Sequence, residues 1–184
     1  ETASDMETAP GGPPGATGAA TGWMTHSMLR TSADDALMDD LRRCLAQHNA
    51  LTLAYVDEAG VGACGLWYAS DDDLTCYFLS SPSTRHGRAL LSGGQVAFTI
   101  HKDDQDWRTI RGVQGRGHCG PVDDAHADQA WEVYVRRFPF VAQHFPDLAA
   151  ALRAARLWRI KPTWMRLIDN ARGFGDRREI MLEP

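Results

Sequence analysis

The chain has 184 residues, a formal net charge of −5 at pH 7, and 43% hydrophobic and 23% charged residues. This length suits one domain with a sizeable core, and the acidic balance argues against a general nucleic-acid-binding protein, which usually has a basic excess. Because there is no apolar run of membrane-spanning length and the four cysteines lack metal-site or disulfide spacing, we expect a cytoplasmic protein with free thiols, no metal and no membrane partner.

The N-terminal segment differs in composition from the rest of the chain. Its sequence ETASDMETAPGGPPGATGAATG, residues 1–22, consists mostly of Ala, Gly, Pro and Thr. Such a segment cannot bury enough apolar surface to offset its ordering entropy. We therefore expect a disordered tail over residues 1–31 and a single domain over residues 32–184.

The first part of the domain is predicted to be a helix followed by strands. The helix is expected over residues 32–50, with Ser32 as its N-cap and an apolar face of Leu37, Leu41 and Leu45. The next apolar runs are strand-like, and short polar turns separate them. These runs predict strands at 51–56, 61–69, 74–80, 95–101 and 107–120.

The C-terminal part is predicted to contain two more helices and two more strands. The first helix is expected in the segment 123–140, capped by Asp123 or Asp124 and stopped by Pro139, with Ala127, Ala130, Trp131 and Tyr134 on its buried face. A short helix over 145–155 and strands over 156–169 and 177–183 follow. The pattern indicates an α+β protein with a six- to seven-stranded antiparallel barrel and two to three flanking helices.

The segment SSPSTRHGRALL, residues 80–91, is the strongest candidate binding site. It follows a buried strand, places hydroxyl residues at a helix start near Thr84, and brings Arg85 and His86 to the same turn. Hydroxyls and arginine are typical ligands of a phosphate group. The alternative is a helix capped by serine and threonine whose arginines point into water.

Two other segments are weaker candidates. The strand TIRGVQGRG has glycines at positions 112, 115 and 117, which indicate a bulge, a barrel corner or a flat ligand lying against the backbone at Gly112. The turn NARGFG presents Phe174 between two glycines, as a lid, an interface contact or a side chain tucked under its own turn.

These segments together resemble the flavin-binding split barrels of the pyridoxamine 5'-phosphate oxidase superfamily. The resemblance covers residues 39–182 and is carried by YFLSS followed by STRH, by IRGVQ, by RRFP and by the C-terminal RGFG. It implies a split β-barrel that binds FMN. It also implies a homodimer with the flavin at the interface, where Trp107, Trp164 and Phe174 are candidate contacts across the dimer.

The resemblance also assigns the cofactor-binding residues. Ser80 and Ser81 would lie beside the flavin, and Thr84, Arg85 and His86 would hold its phosphate, although relatives often have Arg–Lys where this chain has Arg85–His86. The backbone of one strand would follow the isoalloxazine ring, and two residues of another strand would contact it. The strand that follows the ring comprises Cys64, Gly65, Leu66, Trp67 and Tyr68. The two residues of the other strand are Gly112 and Gln114, and Gly112 stands where the oxidase has a glutamine.

No catalytic acid or base stands out, so the reaction stays open. The first hypothesis is an FMN-dependent oxidoreductase acting on a small molecule, in which the cofactor carries the chemistry. The alternatives are a non-catalytic flavin-binding sensor or storage protein, a split barrel that binds haem or a deazaflavin, and a dimeric barrel used only for protein contacts.

Overall fold

The computed structural model describes residues 31–143 and 146–183. The predicted tail lies outside the described residues except for Thr31. The helices are α1 Ser32–Ala46, α2 Arg85–Leu90, α3 Ala127–Arg137 and α4 Pro146–Ala154. The strands are β1 Ala50–Asp57, β2 Gly60–Ser70, β3 Cys76–Ser80, β4 Gly94–His101, β5 Arg111–Pro121, β6 Arg156–Asp169 and β7 Arg177–Met181. None of the helices in these ranges is both long and apolar enough to cross a membrane.

The seven strands form one antiparallel sheet that closes into a barrel. Their order is β3-β2-β1-β4-β5-β6-β7, and an additional β3–β6 pairing closes the sheet on itself. The first three strands form the consecutive antiparallel unit that the sequence predicts. The predicted α+β barrel is therefore confirmed, with seven strands and four helices.

Helix α1 covers one end of the barrel with the apolar face predicted from its spacing. Leu37, Leu41 and Leu45 are all buried, because residues three and four apart lie on one side of a helix. The N-cap is Thr31 and not Ser32. The Thr31 hydroxyl accepts from the Asp34 N–H, and the Asp34 carboxylate accepts from the Thr31 N–H, which completes a capping box.

The glycines of β5 are explained mainly by packing inside the barrel. A Cβ at Gly115 would lie 2.2 Å from the Phe98 ring, and one at Gly117 would lie 2.1 Å from the Lys161 carbonyl oxygen. The register with β6 shifts between Arg116 and Gly117, so the predicted bulge is present.

Several predicted boundaries were wrong. The third strand begins at Cys76 because Leu74 adopts a left-handed backbone, with φ of 64°, in the preceding turn. The fifth strand begins at Arg111, since residues 107–110 belong to the loop before it. The helix predicted over residues 123–140 is divided into a short 3₁₀ turn, α3 and a second 3₁₀ turn, and Trp131 of α3 is exposed.

An ion pair fastens α1 to β7 and makes stability depend on pH. Burial raises the pKa of Asp40, but its bonds to Arg178, at 2.7 Å, and to Arg43 outweigh burial and lower that pKa overall. A lowered folded-state pKa stabilises the fold above the unfolded pKa of about 4, and this stabilisation is lost as pH falls through the folded value.

We expect Asp40→Asn to lower the melting temperature at neutral pH, because the variant cannot pair with Arg178 as an anion. The difference from the wild type should narrow as the pH is lowered toward 3 and the wild-type carboxylate is protonated. Thermal unfolding of both proteins from neutral pH down to pH 3 measures this difference in melting temperature. The control is Asp39→Asn, which removes an exposed pair with Arg42. A difference between Asp40→Asn and the wild type that does not change with pH would contradict this role of Asp40.

Candidate functional site

The barrel is split where β3 leaves β2. Only three residue pairs join these strands, from Tyr68–Phe78 to Ser70–Cys76, whereas β1 and β2 are joined by eight. Beyond Phe78, β3 continues to pair with β6 as far as Ser80. Over residues 60–67, β2 therefore pairs with β1 on one edge, and its other edge has no strand partner among the described residues. The two main segments predicted to bind the cofactor, residues 64–68 and 80–86, border this split.

The turn after β3 is a compact cluster of hydroxyl groups. The Thr84 hydroxyl caps α2 by accepting from the Gly87 N–H at 3.0 Å, and it donates to the Ser81 carbonyl at 2.8 Å. The Ser81 and Ser83 hydroxyls are 2.8 Å apart. Gly87 is required here, because a Cβ would lie 2.5 Å from the Ser81 carbonyl oxygen. The predicted helix start near Thr84 is confirmed, and the turn is held without a ligand.

The imidazole of His86 is bonded within this cluster. Its Nε2 lies 2.7 Å from the Ser80 Oγ and 3.2 Å from the Thr84 Oγ1. The ring also approaches the buried rings of Tyr55 and Phe78, at centroid distances of 6.1 and 6.4 Å. Burial lowers the pKa of His86, so the neutral form is favoured at neutral pH. Its Nε2 faces Ser80 and Thr84.

Arg85 forms a bidentate ion pair with Asp57 at the end of β1. Its Nε and Nη2 donate to the two carboxylate oxygens at 2.6 and 2.8 Å, and its guanidinium lies 5.8 Å from the centre of the Tyr55 ring. The hydrogen bonds from Arg85 lower the pKa of Asp57. The pair positions the guanidinium at the mouth of the split, where its remaining N–H groups are half exposed.

Strand β2 presents alternate residues to the two sides of the sheet. Tyr68 is a core residue, and its hydroxyl donates to the Leu45 carbonyl at 2.8 Å, while Cys64 and Leu66 pack against the same core. Gly65 and Trp67 face outward. A Cβ at Gly65 would meet nothing within 4 Å, and the Trp67 ring stacks on Phe138 at 5.2 Å. The outer side of β2 is therefore an open glycine position next to an aromatic wall.

Gly112 and Gln114 lie on β5, on the far side of β1 and β4 from the split. A Cβ at Gly112 would lie 2.8 Å from the Ile100 carbonyl oxygen, so this glycine also permits close approach of β4. Both residues line a cleft of about 330 Å³ at the end of the β4–β5 hairpin. The residues of 64–68 and 80–86 thus border the same split, whereas these two lie elsewhere on the same chain.

The three aromatic residues predicted to contact a partner have different environments. Trp107 and Phe174 are 55% and 83% exposed and form an edge-to-face pair at 5.9 Å. Asn170 holds the two loops together by donating from its side chain to the Trp107 carbonyl at 2.7 Å. Trp164 lies on β6 between the guanidinium groups of Arg116 and Arg166, each 5.0 Å from its ring centre.

Sequence reasoning missed the partners of these residues. Asp57 stands 28 positions before Arg85 in a hairpin turn, and Phe138 stands far from Trp67 in the RRFP segment. No local pattern marks either pair. The excess of arginine over lysine was the one available signal for bidentate pairing with a carboxylate.

Comparison with known proteins agrees with this geometry. A relative of 30% identity over 138 residues is a UPF0306 protein of Enterobacter sp. (strain 638), and the match covers 74% of this chain and 91% of that one. Two similar solved structures come from Mycobacterium smegmatis. One is a heme binding protein, with a TM-score of 0.63 and 16% identity, covering 83% of this chain and 59% of that one. The other is an FAD binding protein, with a TM-score of 0.54 and 15% identity, and the match covers 79% of this chain and 96% of that one.

A seven-stranded antiparallel barrel that opens between β2 and β3 beside a short helix defines the split-barrel class, in which the solved neighbours bind a flavin or haem. The chain belongs to the pyridoxamine 5'-phosphate oxidase family, whose model matches residues 37–169.

Proposed function

We propose that the protein binds FMN in the split between β2 and β3 and is a flavin-dependent oxidoreductase acting on a small molecule. The observation that carries this proposal is the coincidence of three features at the split, in a family of flavin-binding barrels. They are an unpaired edge of β2, an open Gly65 beside Trp67, and a preformed hydroxyl cluster with Arg85.

The residues at the split are chemically suited to FMN. A dianionic phosphate needs several donors, and Ser81 and Ser83 supply hydroxyls while Arg85 supplies N–H groups. The polar edge of a flavin ring needs backbone donors and acceptors, which the free edge of β2 offers over residues 64–67. Bound FMN would supply hydride or single-electron transfer, and the protein would supply binding and orientation.

We propose that the site is completed by a second copy of the chain. Gly112 and Gln114 are separated from β2 by β1 and β4, which is three strand spacings or about 14 Å. One flavin ring contacts both sets of residues only if the second set comes from another chain. The outer face of the sheet suits such a contact, because its central strands carry small residues and its margins carry exposed Val56, Val61 and Met181.

Haem is the second candidate ligand, since a solved neighbour is a heme binding protein. Haem iron is often held by an axial histidine, as in globins and peroxidases. At the split the imidazole is that of His86, and its Nε2 is bonded to the Ser80 hydroxyl at 2.7 Å. This bond favours the flavin, and titration with hemin in place of FMN tests the alternative.

We expect Arg85→Ala to weaken FMN binding at least tenfold. A hydrogen bond to a charged group contributes about 1.5–3 kcal/mol, and the variant loses such bonds to the phosphate. Riboflavin lacks the phosphate, so its affinity should not change. Fluorescence titration of both flavins measures this difference.

The control is Arg153→Ala, which removes an exposed arginine on α4. If Arg85→Ala lowered the affinities for FMN and riboflavin equally, the substitution would act on the flavin ring or on the fold and not on the phosphate. Unchanged FMN affinity would remove Arg85 from the proposed site. A non-catalytic flavin protein is separated from an enzyme by NAD(P)H consumption in the FMN-loaded wild type.

A further inference from the structure

The cleft at the end of the β4–β5 hairpin is a second concave site. It has a volume of about 330 Å³, which is at the lower end of the range for small-molecule sites. Its lining includes Thr99, Lys102, Asp103, Ile110, Gln114 and Ile168. A second cleft of about 540 Å³ shares His101, Lys102 and Asp103 with it, so Lys102 stands at the rim of both.

The cleft is held open by hydrogen bonds and is not a loose loop. The Gln105 side chain bridges the loop, donating to the Lys102 carbonyl at 2.8 Å and accepting from the Arg111 N–H at 2.6 Å. On the opposite side, the Asn170 N–H donates to the Ile110 carbonyl at 2.9 Å. A ligand therefore meets a largely preformed site, which reduces the ordering cost of binding.

The two sides of the cleft differ in chemistry. Ile110 and Ile168 give it an apolar wall, and Ile110 is 39% exposed. Lys102 forms no ion pair within 4 Å among the residues that the structure describes, although Asp103 also lines the cleft. The Gln114 carbonyl oxygen accepts from Arg166 at 3.3 Å, so its amide NH₂ is the end left to donate.

We propose that this cleft binds a small organic carboxylate. The carboxylate would lie on the Lys102 ammonium and the Gln114 amide, and the apolar part would lie against Ile110 and Ile168. The role of this ligand as the substrate rests on the proposed function, because Gly112 and Gln114 are the residues assigned there to the flavin ring. The binding itself does not depend on FMN.

Selective acetylation tests the proposal, because the chain contains two lysines, Lys102 and Lys161. Lys161 is exposed on β6 and serves as an internal control in the same sample. The probes are benzoate and benzamide, which share a ring but differ in charge. We expect benzoate to slow the acetylation of Lys102 by acetic anhydride, measured by mass spectrometry, and benzamide to slow it much less. Neither probe should change the rate at Lys161.

The matched variants are Lys102→Gln and Lys161→Gln. Lys102→Gln should weaken benzoate binding about tenfold by calorimetry, and Lys161→Gln should leave it unchanged. Equal protection by benzoate and benzamide, or equal affinity of both variants for benzoate, would overturn the proposal. FMN affinity is measured on the same variants and should stay at the wild-type value. If the wild type binds benzoate but no FMN, the proposed function fails while the carboxylate site stands.

Discussion

Gly65→Val is expected to abolish most FMN binding while leaving the fold intact. A Cβ at Gly65 would meet no protein atom within 4 Å, so the added side chain costs no internal contact. The same side chain would occupy the space beside Trp67 in which we propose that the flavin ring lies. Displacing a ring from a fitted site costs at least about 1.4 kcal/mol, which is tenfold in affinity.

The control for this variant is Ala151→Val, which adds bulk at an exposed position on α4. FMN and riboflavin titrations of both variants are compared with their melting temperatures. Gly65→Val should lose affinity for both flavins, since the clash involves the ring, and Ala151→Val should retain it. Full FMN affinity in Gly65→Val would show that the ring does not lie on this part of β2.

Ala54→Arg is expected to convert a dimer into a monomer. Ala54 pairs with Ala63 of β2 and Ala97 of β4, so it lies at the centre of the small-residue outer face. In an interface between two copies an arginine there would be buried without a carboxylate partner. An unpaired buried charge costs several kcal/mol, so the dimer dissociation constant should rise by at least about a hundredfold.

Light scattering coupled to size-exclusion chromatography measures the mass of the wild type and the variant. Ala151→Arg, at an exposed position on α4, is the control and should keep the mass of the wild type. The monomeric variant should also bind FMN weakly, because Gly112 and Gln114 of a second copy would be missing. A wild type of monomeric mass that binds FMN tightly would refute the two-chain site.

The secondary structure could be predicted where the periodicity is strong. The buried face of α1 follows from leucines four apart, and β1, β2 and β4 follow from long apolar runs. The errors lie at the ends of elements. Thr31 and Ser32 are both good N-cap residues, and each has an aspartate three residues later, Asp34 and Asp35, so the sequence permits a capping box from either and only the structure shows that Thr31 caps the helix.

The exposure of Trp131 shows that periodicity alone does not define where the buried face of a helix ends. Ala130 and Tyr134 contact the sheet, but Trp131 lies one residue around the helix and remains 40% exposed. Its spacing nearly matches that of the apolar residues, so periodicity alone predicts Trp131 to be buried. Only the packing of α3 on β2 and β3 separates these positions.

The candidate site could be predicted where it is local in sequence. Ser80, Thr84 and His86 fall within seven residues, so one strand–turn–helix unit brings them together. The Arg85–Asp57 pair and the split itself depend on contacts between distant segments. The split arises because β3 pairs with β6 along its whole length but with β2 only as far as Phe78, and nothing in the sequence of β3 alone indicates where the pairing with β2 ends.

The measurement that tests the proposed function most directly is the visible absorption spectrum of the purified protein titrated with FMN. We expect the flavin bands to shift or sharpen relative to free FMN and to saturate at one FMN per chain. The shift should be lost in Gly65→Val and kept in Ala151→Val. A colourless wild-type protein that leaves the spectrum of added FMN unchanged would contradict the flavin site at the split.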